Sequence, residues 1–201
     1  MKKYMTNDIE VNDKLAKAEK LNALYLEIIN RYKEYIEENE EKTVNEMPGL
    51  ITPQDKAVVE AATKIKMEFQ DYSYEKDFVG ASLKALKIIK SIETVVLPVQ
   101  FWLYPKDTLN TGIADTLDKH ILLCSLLIAL GNYSSKVLVN VNNNVHKIAT
   151  YYEFSGKFYC LDEERNLSEF DSKEQLISYI GATNDSVLYE FNDKSYTDIS
   201  L

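Results

Sequence analysis

The ten residues from Ile121 to Leu130 carry no charge, and they limit what this chain can fold into more than any other stretch. Leu122, Leu123, Leu126, Leu127 and Leu130 cover more than one side of the helix that this run predicts, so other elements must enclose it. It is too short to cross a bilayer. The approach from Tyr104 is polar and reads as turn-rich. Asp115, Thr116 and Asp118 place cap-type and acidic residues where a helix has unpaired N–H groups and the positive end of its dipole. A side chain at Thr116 therefore sits where an anion is favoured.

What surrounds this helix follows from the periods on either side. Before it, Leu15, Ala18, Leu21, Leu24, Tyr25, Ile28, Tyr32 and Ile36 lay one stripe along a helix over residues 12 to 41, with EENEEK as a solvated end or an acidic docking site. Met47-Pro48-Gly49 breaks the pattern, and Thr52-Pro53 reads as an N-cap followed by proline at the first helical position. A second helix is expected over residues 53 to 70 and a third over 77 to 92. VVLPVQFWLYP then reads as an extended segment, in which Trp102 either lines a pocket or packs on the central helix.

After Gly131-Asn132 the period changes to two. Residues 136 to 141, 145 to 154 and 157 to 162 read as strands joined by turns at Asn142-Asn143-Asn144 and Ser155-Gly156. A short helix over 173 to 180 and a strand over 187 to 191 follow. The class is α+β, with helices first and an antiparallel meander after the central helix.

A net charge of -9 argues against a phosphate-backbone binder, so no nucleic-acid partner is expected. MKKY is followed by polar residues rather than an apolar run, and no stretch is long enough to span a membrane, so the expected compartment is the cytoplasm, with no membrane partner. Cys124 and Cys160 lie in apolar settings and read as reduced thiols. No pair of CxxC knuckles, HExxH or Walker-type glycine loop is present, and no cofactor is expected. His120, one helical turn beyond Thr116, either joins His146 and Asp115 or Asp162 in a metal site or is hydrogen-bonded inside the domain.

A helix with a polar start, then a strand bearing His146, then a strand ending in Asp162, is the order of a nucleophile, base and orienting acid. The local sequence resembles the transglutaminase-like superfamily, whose prokaryotic members read P-x-E-T-L-x-x-G-x-G-D-C-E-D-K before an apolar helix ending Ala-Leu-Gly. Here Pro105-Lys106-Asp107-Thr108-Leu109-Asn110-Thr111-Gly112-Ile113-Ala114-Asp115-Thr116-Leu117-Asp118-Lys119 runs alongside without a gap, and Ala129-Leu130-Gly131 closes the helix. Gly156 to Asp162, GKFYCLD, is similar to the family's G-K-W-Y-x-L-D strand, with His146 at the histidine position.

The resemblance, which spans roughly Tyr104 to Asp162, implies a papain/transglutaminase-like core over residues 93 to 201, a central buried helix packed on an antiparallel sheet; the helical periods before it predict an N-terminal helical region over 1 to 92 packed on that core. It also implies a triad at Thr116, His146 and Asp162, with Thr116 where the family has its nucleophilic cysteine. An internal threonine has no accessible anion near neutral pH and no N-terminal amine to serve as its base. The expectation is therefore a catalytically inactive binding or scaffold module whose partner is a peptide or protein. A first alternative is an amide or ester hydrolase using Thr116 or Cys160 with His146 and Asp162. Cys160 shares a strand face with Asp162, a face expected to look toward His146, and is either such a nucleophile or core. A second alternative is a helical interaction protein built on residues 10 to 92.

Overall fold

The computed structural model describes residues 2–40, 46–99, 101–142, 145–162, 166–183 and 185–200. In chain order the helices are α1 (Lys2–Arg31), α2 (Lys33–Glu40), α3 (Lys56–Met67), α4 (Tyr74–Ser91), α5 (Pro105–Thr111), α6 (Thr116–Ala129) and α7 (Lys173–Tyr179). The strands are β1 (Glu93–Thr94), β2 (Ile113–Ala114), β3 (Lys136–Asn142), β4 (Val145–Phe154), β5 (Lys157–Asp162), β6 (Asn166–Phe170), β7 (Val187–Phe191) and β8 (Tyr196–Ile199). Two compact units result, Met1–Glu41 with Leu97–Phe101, and Lys42–Val96 with Trp102–Leu201.

The apolar run forms α6, and every residue from Asp118 to Ile128 on it is buried. Leu122, Leu123, Leu126 and Leu127 share a cluster with Val58, Ala62 and Ile65 of α3 and Phe78, Ala81, Ala85 and Ile89 of α4. These residues recur at steps of three and four, which is why two amphipathic helices can close one side of the pillar. Ile121, Cys124 and Ile128 face the other way, onto Val137 and Val139 of β3 and Phe191 of β7. α6 ends at Gly131, whose φ of 115° no other residue type adopts easily. There the Asn132 N–H donates to Leu127 O at 3.0 Å, a six-to-one closure that ends the helix.

Six antiparallel strands form one sheet in the order β6-β5-β4-β3-β7-β8. Alternation along them gives two apolar faces. Val137, Val139, Tyr152, Leu161 and Phe191 face the α6 side. Leu138, Ala149, Tyr151, Cys160 and Leu188 face the other way, under Leu176 and Ile180 at α7. The chain thus has the α+β, papain-like transglutaminase fold, with a buried helix on an antiparallel sheet.

Several local readings change. α3 is capped by Asp55, whose Oδ1 accepts the Ala57 N–H at 2.9 Å, and not by Thr52. Thr52 instead starts a turn closed by the Asp55 N–H, and its own N–H donates to Ser125 Oγ on α6. The approach to α6 holds α5, begun by Pro105 at its first position, where turns were expected. β6 and β8 were not anticipated; both are edge strands with little burial of their own. Asn143 and Asn144 of the expected turn, and Glu41 and Lys42 of the acidic run, lie outside the described residues.

Candidate functional site

The entrance to α6 is built by polar groups taken out of water. Asp115 is its N-cap in extended conformation, and its Oδ1 accepts the Asp118 N–H at 2.8 Å, as its residue type predicts. Asp118 is fully buried; its Oδ1 accepts the Leu103 N–H at 3.1 Å, which fastens the incoming segment to the helix. Burial, and then the neighbouring Asp115 charge, push the Asp118 carboxyl up to about 8, so it is a neutral acid at pH 7. Lys119, equally buried, donates to Thr94 Oγ1 at 2.9 Å on β1, which pairs in parallel with β2 just before the cap. Thr116 follows the cap as the first, exposed residue of the helix.

Beside it lies a cleft of about 370 Å³ lined by Thr116 and His120 of α6, His146, Lys147, Ile148 and Ala149 of β4, Cys160 and Asp162 of β5, and Tyr179 and Ile180. Five sequence-predicted residues, Thr116, His120, His146, Cys160 and Asp162, therefore meet in one place. Asp115 supports the cleft as the cap next to Thr116 without lining it. Trp102 is not among the lining residues; half-buried, it packs against the Ile121, Cys124 and Ile128 cluster.

Each lining group has its own chemistry. His146 is exposed, as is Thr116. His120 is 4% exposed, and its Nδ1 is 2.9 Å from Thr150 Oγ1. Thr150 Oγ1 donates to the His120 carbonyl at 3.3 Å, so Nδ1–H is the donor to Thr150 and Nε2 is the bare acceptor. Burial, reinforced by Lys119 and opposed by Asp162, pushes the imidazole down to about 4. His120 is thus hydrogen-bonded inside the domain, and among the described residues no group of three His, Cys, Asp or Glu side chains is placed to hold a metal ion.

Asp162 is held by Tyr179, whose hydroxyl donates to Oδ2 at 2.8 Å while accepting from Ser168 Oγ at 3.1 Å. No sequence signal pointed to Tyr179, which ends a helix of only seven residues. Cys160 and Asp162 do share a strand face, but the expected view toward His146 changes. Cys160 pairs with Tyr151 and packs under α7, whereas Thr150, an even number of residues from His146 on β4, faces α6. Cys160 is fully buried, and burial, then Asp162, push its thiol up to about 12, the opposite of an activated nucleophile. Cys124 and Cys160 are both free thiols. No described helix is long and apolar enough to cross a membrane.

No family model and no curated protein matches the chain. Solved structures of LapG from Legionella pneumophila do. One has a TM-score of 0.51 at 13% identity and covers 77% of this chain and 87% of LapG. An EGTA-treated form gives 0.51 at 14% identity, over 80% and 87% of the two chains. A calcium-bound form gives 0.46 at 15% identity, over 71% and 93%. The likeness is one of fold, the papain-like transglutaminase fold.

Proposed function

We propose that this chain is a transglutaminase-like protein without acyl-transfer activity, whose cleft at the start of α6 binds a peptide segment of a partner protein. The observation that carries the reading is Thr116. It opens α6 beside the cap, in the cleft that also holds His146 and Asp162, at the position where the superfamily pattern has its cysteine. A helix N-terminus lowers the pKa of a thiol, but it leaves a β-branched alcohol un-ionised near neutral pH. The one thiol lining the cleft, Cys160, is buried and held protonated, so it does not replace the missing nucleophile.

Binding remains available to such a cleft. His120 Nε2 accepts a hydrogen bond, Tyr179 and Asp162 form a fixed polar pair, and Ile148, Ala149 and Ile180 supply apolar wall. Hydrogen-bonding groups set beside apolar wall in one cleft suit a peptide segment.

Two measurements test the reading. Wild-type protein and His146→Ala are compared on a panel of peptide and ester substrates, with equal, background turnover expected. Turnover that disappears in His146→Ala overturns the inactive reading in favour of a hydrolase. Thr116→Cys is then labelled with iodoacetamide at pH 7, where alkylation about tenfold faster than that of an ordinary exposed thiol is expected. His146→Ala should suppress that gain. An ordinary rate shows that the cleft does not retain a triad geometry.

A further inference from the structure

α1 and α2 carry apolar side chains in water at a spacing that the cleft does not use. Ala18, Leu21, Tyr25, Ile28, Tyr32 and Tyr35 follow one another at alternating steps of three and four. Leu21 is 42% exposed, Tyr25 51%, Ile28 45%, Tyr32 54% and Tyr35 66%. Across the junction between the helices the Tyr32 N–H donates to Ile28 O at 3.2 Å and the Ile36 N–H to Tyr32 O at 2.9 Å, so the stripe continues from α1 into α2. It is about 27 Å long at 1.5 Å per residue. A repeat of 3.5 residues keeps one seam turned toward a second helix along its whole length, which is the signature of a coiled coil.

The charges beside the stripe identify the second helix. Lys17 and Glu38 fall at the same flanking position of the heptad, at opposite ends of the stripe. In a parallel pair Lys17 faces the neutral Asn22 of the second helix; in an antiparallel pair it faces Glu38.

We infer that this face joins two copies of the chain in an antiparallel, two-fold symmetric helix pair. The heptad then closes on itself. Ala18 meets Tyr35 of the second copy, Leu21 meets Tyr32 and Tyr25 meets Ile28, each layer formed twice by the symmetry. The small Ala18 makes room for the large Tyr35. Lys17 and Glu38 fall at the two flanking positions that face each other in this register, and Arg31 lays its aliphatic stem over Leu24. The pairing is independent of the cleft's function.

The mass of the whole chain, read by light scattering and sedimentation from micromolar to several hundred micromolar, is expected to rise to that of a dimer. Ile28→Glu should remain monomeric, with circular dichroism showing that the fold is kept. Lys17→Glu should raise the dissociation constant about tenfold, since the symmetry turns two attractive pairs into repulsive ones. Lys17→Glu combined with Glu38→Lys should restore it. A wild-type chain that stays monomeric throughout overturns the inference, and so does a dimer that Ile28→Glu leaves intact. Failure of Glu38→Lys to rescue Lys17→Glu overturns the antiparallel arrangement.

Discussion

Asp118 and Glu190 are both carboxyl groups buried in the same unit, one at the start of α6 and one on the α7 side of the sheet, and they settle in opposite charge states. Burial pushes both upward. At Asp118 the nearby charge is another carboxylate, only Oδ1 meets a backbone N–H, and Oδ2 has no partner among the described residues. Glu190 receives Lys136 Nζ at 2.6 Å, Lys173 Nζ at 2.7 Å and the Tyr151 hydroxyl at 2.6 Å, which outweigh burial and hold it below the usual glutamate value. Partners, more than depth, decide whether a buried carboxyl keeps its charge. The Glu190 cluster ties the start of α7 to β3, β4 and β7, and so places the helix that carries Tyr179 to the cleft.

The largest effect should come from breaking the ionised site. Glu190→Gln leaves two lysines without their counter-charge. Both are partly exposed and can turn to water, so a loss of about 3 kcal/mol is expected, at the low end for a broken buried pair, in urea unfolding at pH 7. A loss as small as that of an exposed ion pair would place the charges in water and remove the contrast.

Asp118→Asn should cost about 1 kcal/mol or less at pH 7, because an amide replaces a group that is already neutral. The pH dependence sharpens the difference further. Asp118 has a folded value of about 8 against 3.8 ordinarily, so its contribution is full below 3.8 and is lost as pH rises toward 8. Glu190 is shifted down from 4.5, so its contribution is full above 4.5 and is lost as pH falls. Unfolding free energies of each variant, subtracted from wild type across pH 3 to 9, should therefore slope in opposite directions. Parallel slopes would mean that both carboxyls share one charge state.

The smallest effect concerns a buried group whose partner is neutral. Thr150→Val removes the acceptor of the His120 Nδ1–H and should cost about 1 kcal/mol. His120, lowered from 6.5 to about 4, should show no ring titration by NMR between pH 7 and 5. A midpoint near 6.5 would show that the ring is not buried as a neutral acceptor.

Much of the architecture is legible in the amino-acid sequence. α6 was clear because ten uncharged residues admit no exposed face, and Asp115 was clear because its residue type and place match a cap. The meander of β3, β4 and β5 followed from a period of two. α5 was not legible, because the proline that begins it read as part of a turn-rich approach. β6 and β8 were missed because an edge strand is defined by the neighbour it pairs with and carries little apolar pattern. At the site, Thr116, His120, His146, Cys160 and Asp162 were singled out by type and order. Tyr179 was not, because its role rests on a hydrogen bond to a residue 17 positions away.

By itself the sequence determined which segments must be covered and which residue opens the central helix, because apolar period, charge and capping preference act over a few neighbouring residues. Only the tertiary structure decided what each buried polar group experiences. Tyr151, Lys136, Lys173 and Glu190 meet through strand register and helix placement, as do His120 and Thr150. Desolvation and the identity of the nearest partner are properties of that assembled environment, so they set the state of Asp118, Glu190, His120 and Cys160 only once the chain has folded.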